Sequence, residues 1–273
     1  MPSLQFRRRL SVPAPEPVEV TDRAPVRWKP ILVEIALLSA LFVVYRLGRL
    51  LSADRIEQAF DNAQSIYRIQ QWVRLPDEAV IQSWLMTWPE LIKLANQYYV
   101  VVHFPVTLAF LVWGYLRRPL AEYHWARALL VAQTAMALVL HVAVPLAPPR
   151  MFPELGFVDT MTTIGPSAYG GSVAAVANQY AAMPSLHVGW ALLIGVVVWR
   201  TATGPIRWIV VAHATLTMLV VVVTANHWWV DGLVAAALLG ISLAIHPRPR
   251  PARGASPAGI GSPVQESRAG QAP

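Results

Sequence analysis

Six apolar runs separated by short polar segments dominate the chain, at roughly residues 31–51, 94–116, 126–146, 182–199, 207–224 and 228–246. Most approach the ~20 residues an α-helix needs to cross the hydrocarbon core of a bilayer; the fourth and fifth are marginal alone. The pattern predicts an all-α, polytopic membrane protein with six transmembrane helices. Residues 1–29, polar and rich in proline and arginine, and residues 247–273, largely Pro, Gly, Ser and Ala, lack periodicity. They read as disordered tails on one membrane domain, 30–246. "FRRRL" could open a signal peptide, but no small-residue cleavage site follows the first apolar run, so that run reads as an uncleaved anchor.

The segment 52–93, between the first and second runs, has a different period. Ile56, Phe60, Ala63, Tyr67 and Val73 recur at helical spacing, with Asp54, Glu57, Asp61 and Arg68 between them. Pro76 breaks the pattern, and "DEAVIQSWLMTWPELI" resumes it with Trp84 and Trp88. Two amphipathic helices at the membrane surface fit this segment. They could form a packed cap over the bundle or a lid that admits a lipid sideways.

Composition agrees with the membrane reading: 55% of residues are apolar and 14% charged. There is no cysteine, which excludes disulfides and thiolate metal sites. The positive balance is almost all arginine, Lys29 and Lys93 being the only lysines, and these cations flank apolar runs. That placement reflects membrane topology rather than nucleic-acid binding. On a six-span topology fifteen cations fall on the side of the two tails and seven on the other. The positive-inside rule then predicts a multi-pass protein of the cell membrane with both tails cytoplasmic.

Three polar clusters interrupt this scheme at the predicted outward ends of the spans: "PLAPPRMF" (145–152), "MPSLH" (183–187) and "TANHWWVD" (224–231). His227 and Asp231 are four residues apart, so on a helix they would share a face. A carboxylate there fixes the imidazole tautomer and leaves the other ring nitrogen free to attack or to bind a metal. Pro184 and Ser185 suit the first turn of a helix, where unpaired backbone N–H groups favour an anion. Arg150, at the mouth of a span, is placed to grip a phosphate. Together these residues describe a phosphate site with His227 as nucleophile, Asp231 as its orienting partner and His187 as general acid.

The combination "PSLH" with "H-x-x-x-D" about forty residues later resembles the second and third motifs of the type 2 phosphatidic acid phosphatase superfamily. "NQYYVVVHFP" (96–105), "PLAPPR" (145–150), "NQYAAMPSLHVGW" (178–190) and "TANHWWVDGL" (224–233) are similar to its bacterial inositolphosphotransferase branch, the relatives of inositol phosphorylceramide synthase. The resemblance runs from about residue 55 to 245. It implies six helices, lipid phosphate substrates, a phosphohistidine intermediate and no metal or other cofactor. By motif match it assigns His227, Asp231 and His187 to catalysis, and Ser185 and Arg150 to phosphate binding.

Some positions depart from the broad family. Ala143 stands where its first motif has lysine, Met151 where a proline follows the arginine, and Val220 and Val221 where Ser-Arg precedes the third-motif histidine. Two phosphate cations are therefore missing. Either the phosphate carries less charge, as a diester would, or His103, Tyr99 and Asn178 compensate as substrate-binding groups. His141 and His213, within spans, are expected to make interhelical hydrogen bonds. Two other classes stay open: a non-catalytic lipid-binding or transport protein, and a metal-dependent hydrolase with His187, His227 and Asp231 as ligands.

Overall fold

The computed structural model describes residues 55–166 and 178–249, with six further helical positions between Leu32 and Arg46. The chain divides into two units, Met1–Ala40 and Leu41–Pro273. In the first, Leu32, Ala36, Ser39 and Ala40 are helical; the bundle belongs to the second. The expected first span and the two tails therefore lie mostly outside the described residues.

In chain order the helices are α1 (Ile56–Trp72), α2 (Glu78–Leu85), α3 (Pro89–Gln97), α4 (His103–Arg117), α5 (Leu120–Ala143), the one-turn α6 (Thr160–Thr163), α7 (Leu186–Thr201), α8 (Ile206–Val223) and α9 (Trp229–Ile245). The described residues hold no strand, only an isolated bridge between Leu146 and Ala181. Among the described residues three stretches are long and apolar enough to cross a membrane: Pro89–Arg117, Leu120–Ala143 and Ile206–Val223. They mark the chain as a membrane protein. Helices α7 and α9 are equally apolar but shorter, at 16 and 17 residues. Leu108, Leu116, Val139 and Ile209 lie exposed on the outside of the bundle, as lipid-facing side chains do.

Several boundaries differ from the sequence reading. The second long helix starts at Pro89, not near 94, because proline at the first helical position carries the right φ and lacks only an N–H that would be unpaired there. The third starts at Leu120, not 126. Its polar first turn is stabilised from outside the apolar run, by Arg118 against Glu122 at 2.7 Å and Arg248 against Glu122 at 2.8 Å. "DEAVIQSWLMTWPELI" forms two helices instead of one. Pro89 disfavours helical geometry at Trp88, which sits at φ −120° and ψ 85°. Between α3 and α4 the backbone makes a π turn at Tyr98–Val102. Pro105 has no N–H to offer the Val101 carbonyl, and the wider turn takes up the mismatch.

The α1–α2 segment is a packed cap. Helix α1 buries Ala59, Ala63 and Gln70. Ala147 N–H donates to Ala59 O at 3.0 Å, and Asn62 Nδ2 donates to Pro145 O at 2.8 Å. Asp77 caps α2, accepting from Ala79 N at 2.9 Å, a contact worth about 1 kcal/mol. Trp72 and Trp84 stay exposed on the far side, as interfacial tryptophans do.

Candidate active site

Backbone hydrogen bonds pin the three polar clusters together at one end of the bundle. Leu146 N–H donates to Tyr180 O at 2.8 Å, and Ala182 N–H returns a bond to Leu146 O at 3.2 Å. Arg150 N–H donates to Ala225 O at 2.9 Å and Ser185 N–H to Asp231 O at 3.1 Å. Trp228 Nε1 reaches Ala147 O at 3.0 Å. Beneath these contacts Leu146, Phe152, Phe157, Ala182 and Trp228 form one buried apolar cluster. The clusters are thus parts of a single structure, although up to about eighty residues separate them.

His227 does not lie on a helix. It ends the turn between α8 and α9, and Trp228 is the N-cap of α9. The contact with Asp231 forms because the carboxylate folds back over the helix start. Asp231 Oδ2 accepts Trp228 N–H at 2.9 Å and lies 3.2 Å from His227 Nδ1. The same Nδ1 lies 2.8 Å from Ala182 O, an acceptor only, so Nδ1 carries the proton and donates to both oxygens. Nε2 then presents its lone pair and has no partner among the described residues. Burial pulls the imidazole pKa down to about 4, the Ala182 hydrogen bond works against this, and the nearby Arg150 charge adds to it. The ring is neutral at pH 7, as a nucleophile must be. Asp231 is fully buried, and its Oδ1 has no hydrogen-bond partner among the described residues.

Ser185 is the N-cap of α7, its side chain accepting Val188 N–H at 3.3 Å. The hydroxyl proton remains available to an incoming anion. His187, in the first turn of α7, lies with its ring 6.2 Å from that of His227. Tyr99, in the π turn, stacks on His187 at 4.2 Å, and His103 packs on it at 4.3 Å. His187 Nε2 and His103 Nδ1 are buried without a hydrogen-bond partner among the described residues. Trp190 backs His103 at 5.5 Å. The sequence-predicted His187, His103 and Tyr99 therefore form one stack beside His227.

Arg150 is buried in a 3₁₀ turn, Pro149–Met151. Its Nη1 donates to Asn226 Oδ1 at 3.1 Å, and its Nε lies 3.8 Å from Asp159 Oδ2. Asn226 is anchored in turn, donating from Nδ2 to Thr224 Oγ1 at 2.8 Å. Asn178 accepts Tyr180 N–H at 3.1 Å, an Asx turn that leads into the irregular segment 180–185 ahead of α7. His213 makes the interhelical bond expected of it, to Tyr98 Oη at 2.6 Å, whereas His141 bonds Pro184 O, in the loop before α7, at 3.0 Å. Val220 and Val221, at the positions of the missing Ser-Arg, are buried in an apolar cluster with Tyr99 and Val188.

Sequence reasoning missed Asn226 and the Ala182 carbonyl. Asn226 sits next to His227, and that adjacency was its only signal; a carbonyl carries none. Among the described residues no three His, Cys, Asp or Glu side chains gather as around a metal ion.

The PAP2 superfamily pattern matches residues 64–245. The chain belongs to the PAP2 superfamily. The match spans α1 to α9 and contains every residue of the site. No curated protein and no solved structure matches the chain. PAP2 superfamily members are generally phosphatases, and membership points to a lipid phosphatase-type function for this chain.

Proposed function

We propose that the protein is a six-span enzyme of the cell membrane with cytoplasmic tails and an extracytoplasmic active site. It cleaves or transfers a lipid phosphate ester through a phosphohistidine, and an inositolphosphotransferase activity fits the sequence motifs. The observation that carries this reading is the double anchoring of His227 Nδ1 by Ala182 O and Asp231 Oδ2, which leaves a neutral Nε2 with no partner among the described residues.

In the first step the Nε2 lone pair forms a bond to phosphorus as the ester P–O bond breaks. The departing alkoxide takes a proton from His187. Asp231 stabilises the imidazolium that develops, and Arg150 and the Ser185 hydroxyl hold the non-bridging oxygens. In the second step water or an alcohol attacks phosphorus, gives its proton to His187, and breaks the P–N bond. Tyr99 and His103 shape the wall behind His187.

The test is turnover of phosphatidic acid and phosphatidylinositol in detergent micelles, with and without inositol, chelator or vanadate. Vanadate inhibition with full activity in chelator is the expected result. Loss of activity in chelator would instead support a metal-dependent hydrolase, and no turnover of either lipid would support a binding or transport protein.

A further inference from the structure

Helix α9 begins in the protein interior, so its first N–H groups need partners other than bulk water. Asp231 serves Trp228. The next two N–H groups are served from the cap. Glu78 Oε1 accepts Trp229 N–H at 3.1 Å, and Gln70 Oε1 accepts Val230 N–H at 3.1 Å. Gln70 Nε2 donates to Glu78 Oε1 at 2.7 Å, locking the two side chains together. Both residues are only 1% exposed. One turn beyond Glu78, Gln82 Nε2 donates to Val223 O at 3.2 Å, on the other flank of the His227 turn. Pro76 O accepts Trp229 Nε1 at 2.8 Å.

These contacts grip both ends of the segment 223–230 that carries His227. A buried carboxyl is an expensive way to fill space, and burial pushes the Glu78 pKa up. What Glu78 supplies is an acceptor oxygen at a fixed point on the helix that bears Asp231. Helix α9 can shift only if Gln70 and Glu78 shift with it.

We propose that Gln70 and Glu78 are positioning residues that set the His227–Asp231 geometry from the α1–α2 cap. The proposal rests on the role given to His227 above. Arg150 is held nearer the α8 end of this segment, by Ala225 and Asn226, and from outside it by Asp159, so loss of the Gln70–Glu78 grip at the α9 end should disturb the chemical step more than phosphate binding.

The test compares Glu78→Met, Glu78→Gln, Gln70→Met and His227→Ala in detergent, on whichever of the two lipids the wild type turns over faster. Glu78→Met should lower kcat about 10- to 100-fold, the scale of a small misplacement of catalytic groups, with KM within about twofold. Inhibition by vanadate, which mimics the transition state, should weaken in step with kcat. Inhibition by inorganic phosphate should not change. Glu78→Gln keeps the acceptor oxygen and should stay within about threefold of wild type. If Glu78→Met does not fold, Gln70→Met leaves the Trp229 cap in place and should show the same split. Wild-type kcat in a folded Glu78→Met or Gln70→Met variant, or a raised KM with unchanged kcat, would overturn the proposal. Activity surviving in His227→Ala would instead overturn the role of His227 itself.

Discussion

Asp231 Oδ2 serves two donors at once, Trp228 N–H at 2.9 Å and His227 Nδ1 at 3.2 Å. The carboxylate that orients the imidazole is also the cap of its own helix, at the N3 position. Fold and chemistry therefore share one oxygen, and substitutions can separate them.

Asp231→Asn retains an acceptor for Trp228 N–H but loses the charge that stabilises an imidazolium. It should fold with a Tm near wild type and lose about 100- to 10,000-fold in kcat. Asp231→Ala should lose the cap as well, costing about 1–2 kcal/mol of stability. Thermal melts and steady-state kinetics on both variants check this; equal stability loss in the two would contradict the dual role.

Arg150 is buried and held by the Asn226 amide. Arg150→Ala should cost about 2–4 kcal/mol of transition-state binding, roughly 30- to 1000-fold in kcat/KM. Arg150→Lys should rescue poorly, because an ammonium cannot reproduce the planar fork. Asn226→Ala should cost less than Arg150→Ala, since it loosens the guanidinium without removing it. Wild-type kcat/KM in Arg150→Ala would contradict the assignment.

The depressed pKa of His227 makes two pH predictions. Because the neutral ring is the nucleophile, the acid limb of kcat/KM should fall near pH 4 and not near 6.5. The folded-state pKa lies below the unfolded value of about 6.5. The contribution to stability is therefore complete above about 6.5 and is lost as pH falls from there through about 4. Urea melts at pH 7 and pH 5 should show this loss in wild type and a smaller loss in His227→Gln. A kinetic acid limb at 6.5 would contradict a neutral buried ring.

Much of this site was legible in the sequence, and the misses share a cause. The three clusters stand out because hydrocarbon penalises polar residues, so His187, Arg150, His227 and Asp231 could be collected without knowing their contacts. The His227–Asp231 pairing was also readable, but from the wrong local structure: four-residue spacing suggests a helix face, whereas a turn and a helix cap produce the contact. Gln70, Glu78 and Gln82 were not legible as part of the site. Glutamine and glutamate on an amphipathic helix look like a solvated face, and only tertiary packing turns that face inward. Glu78 and Gln82 do lie one turn apart, which is the faint signal that one face of α2 is special. The boundaries at Pro89 and Leu120 moved because helices extend past their apolar runs when caps and ion pairs stabilise the polar first turn.

The proposed orientation is open to direct labelling, since the chain has no cysteine of its own. Thr163 and Thr203 are exposed at opposite ends of the predicted topology. A cysteine at Thr163 should react with an impermeant thiol reagent in intact cells, and one at Thr203 only after the membrane is opened. The reverse pattern would contradict the cytoplasmic tails and the extracytoplasmic site.

The central claim is that Nε2 of His227 takes up the phosphoryl group. A phosphohistidine is stable in base and labile in acid, unlike a phosphoserine. Wild-type protein quenched in base during turnover of a lipid labelled in its phosphate should retain label that acid releases. With a phosphate-labelled nitrophenyl phosphate in place of the lipid, whose leaving group needs little help from an acid, His187→Ala should retain at least as much. His227→Ala should retain none. Label persisting on His227→Ala, or no acid-labile label on a wild-type enzyme that is turning over, would contradict the account.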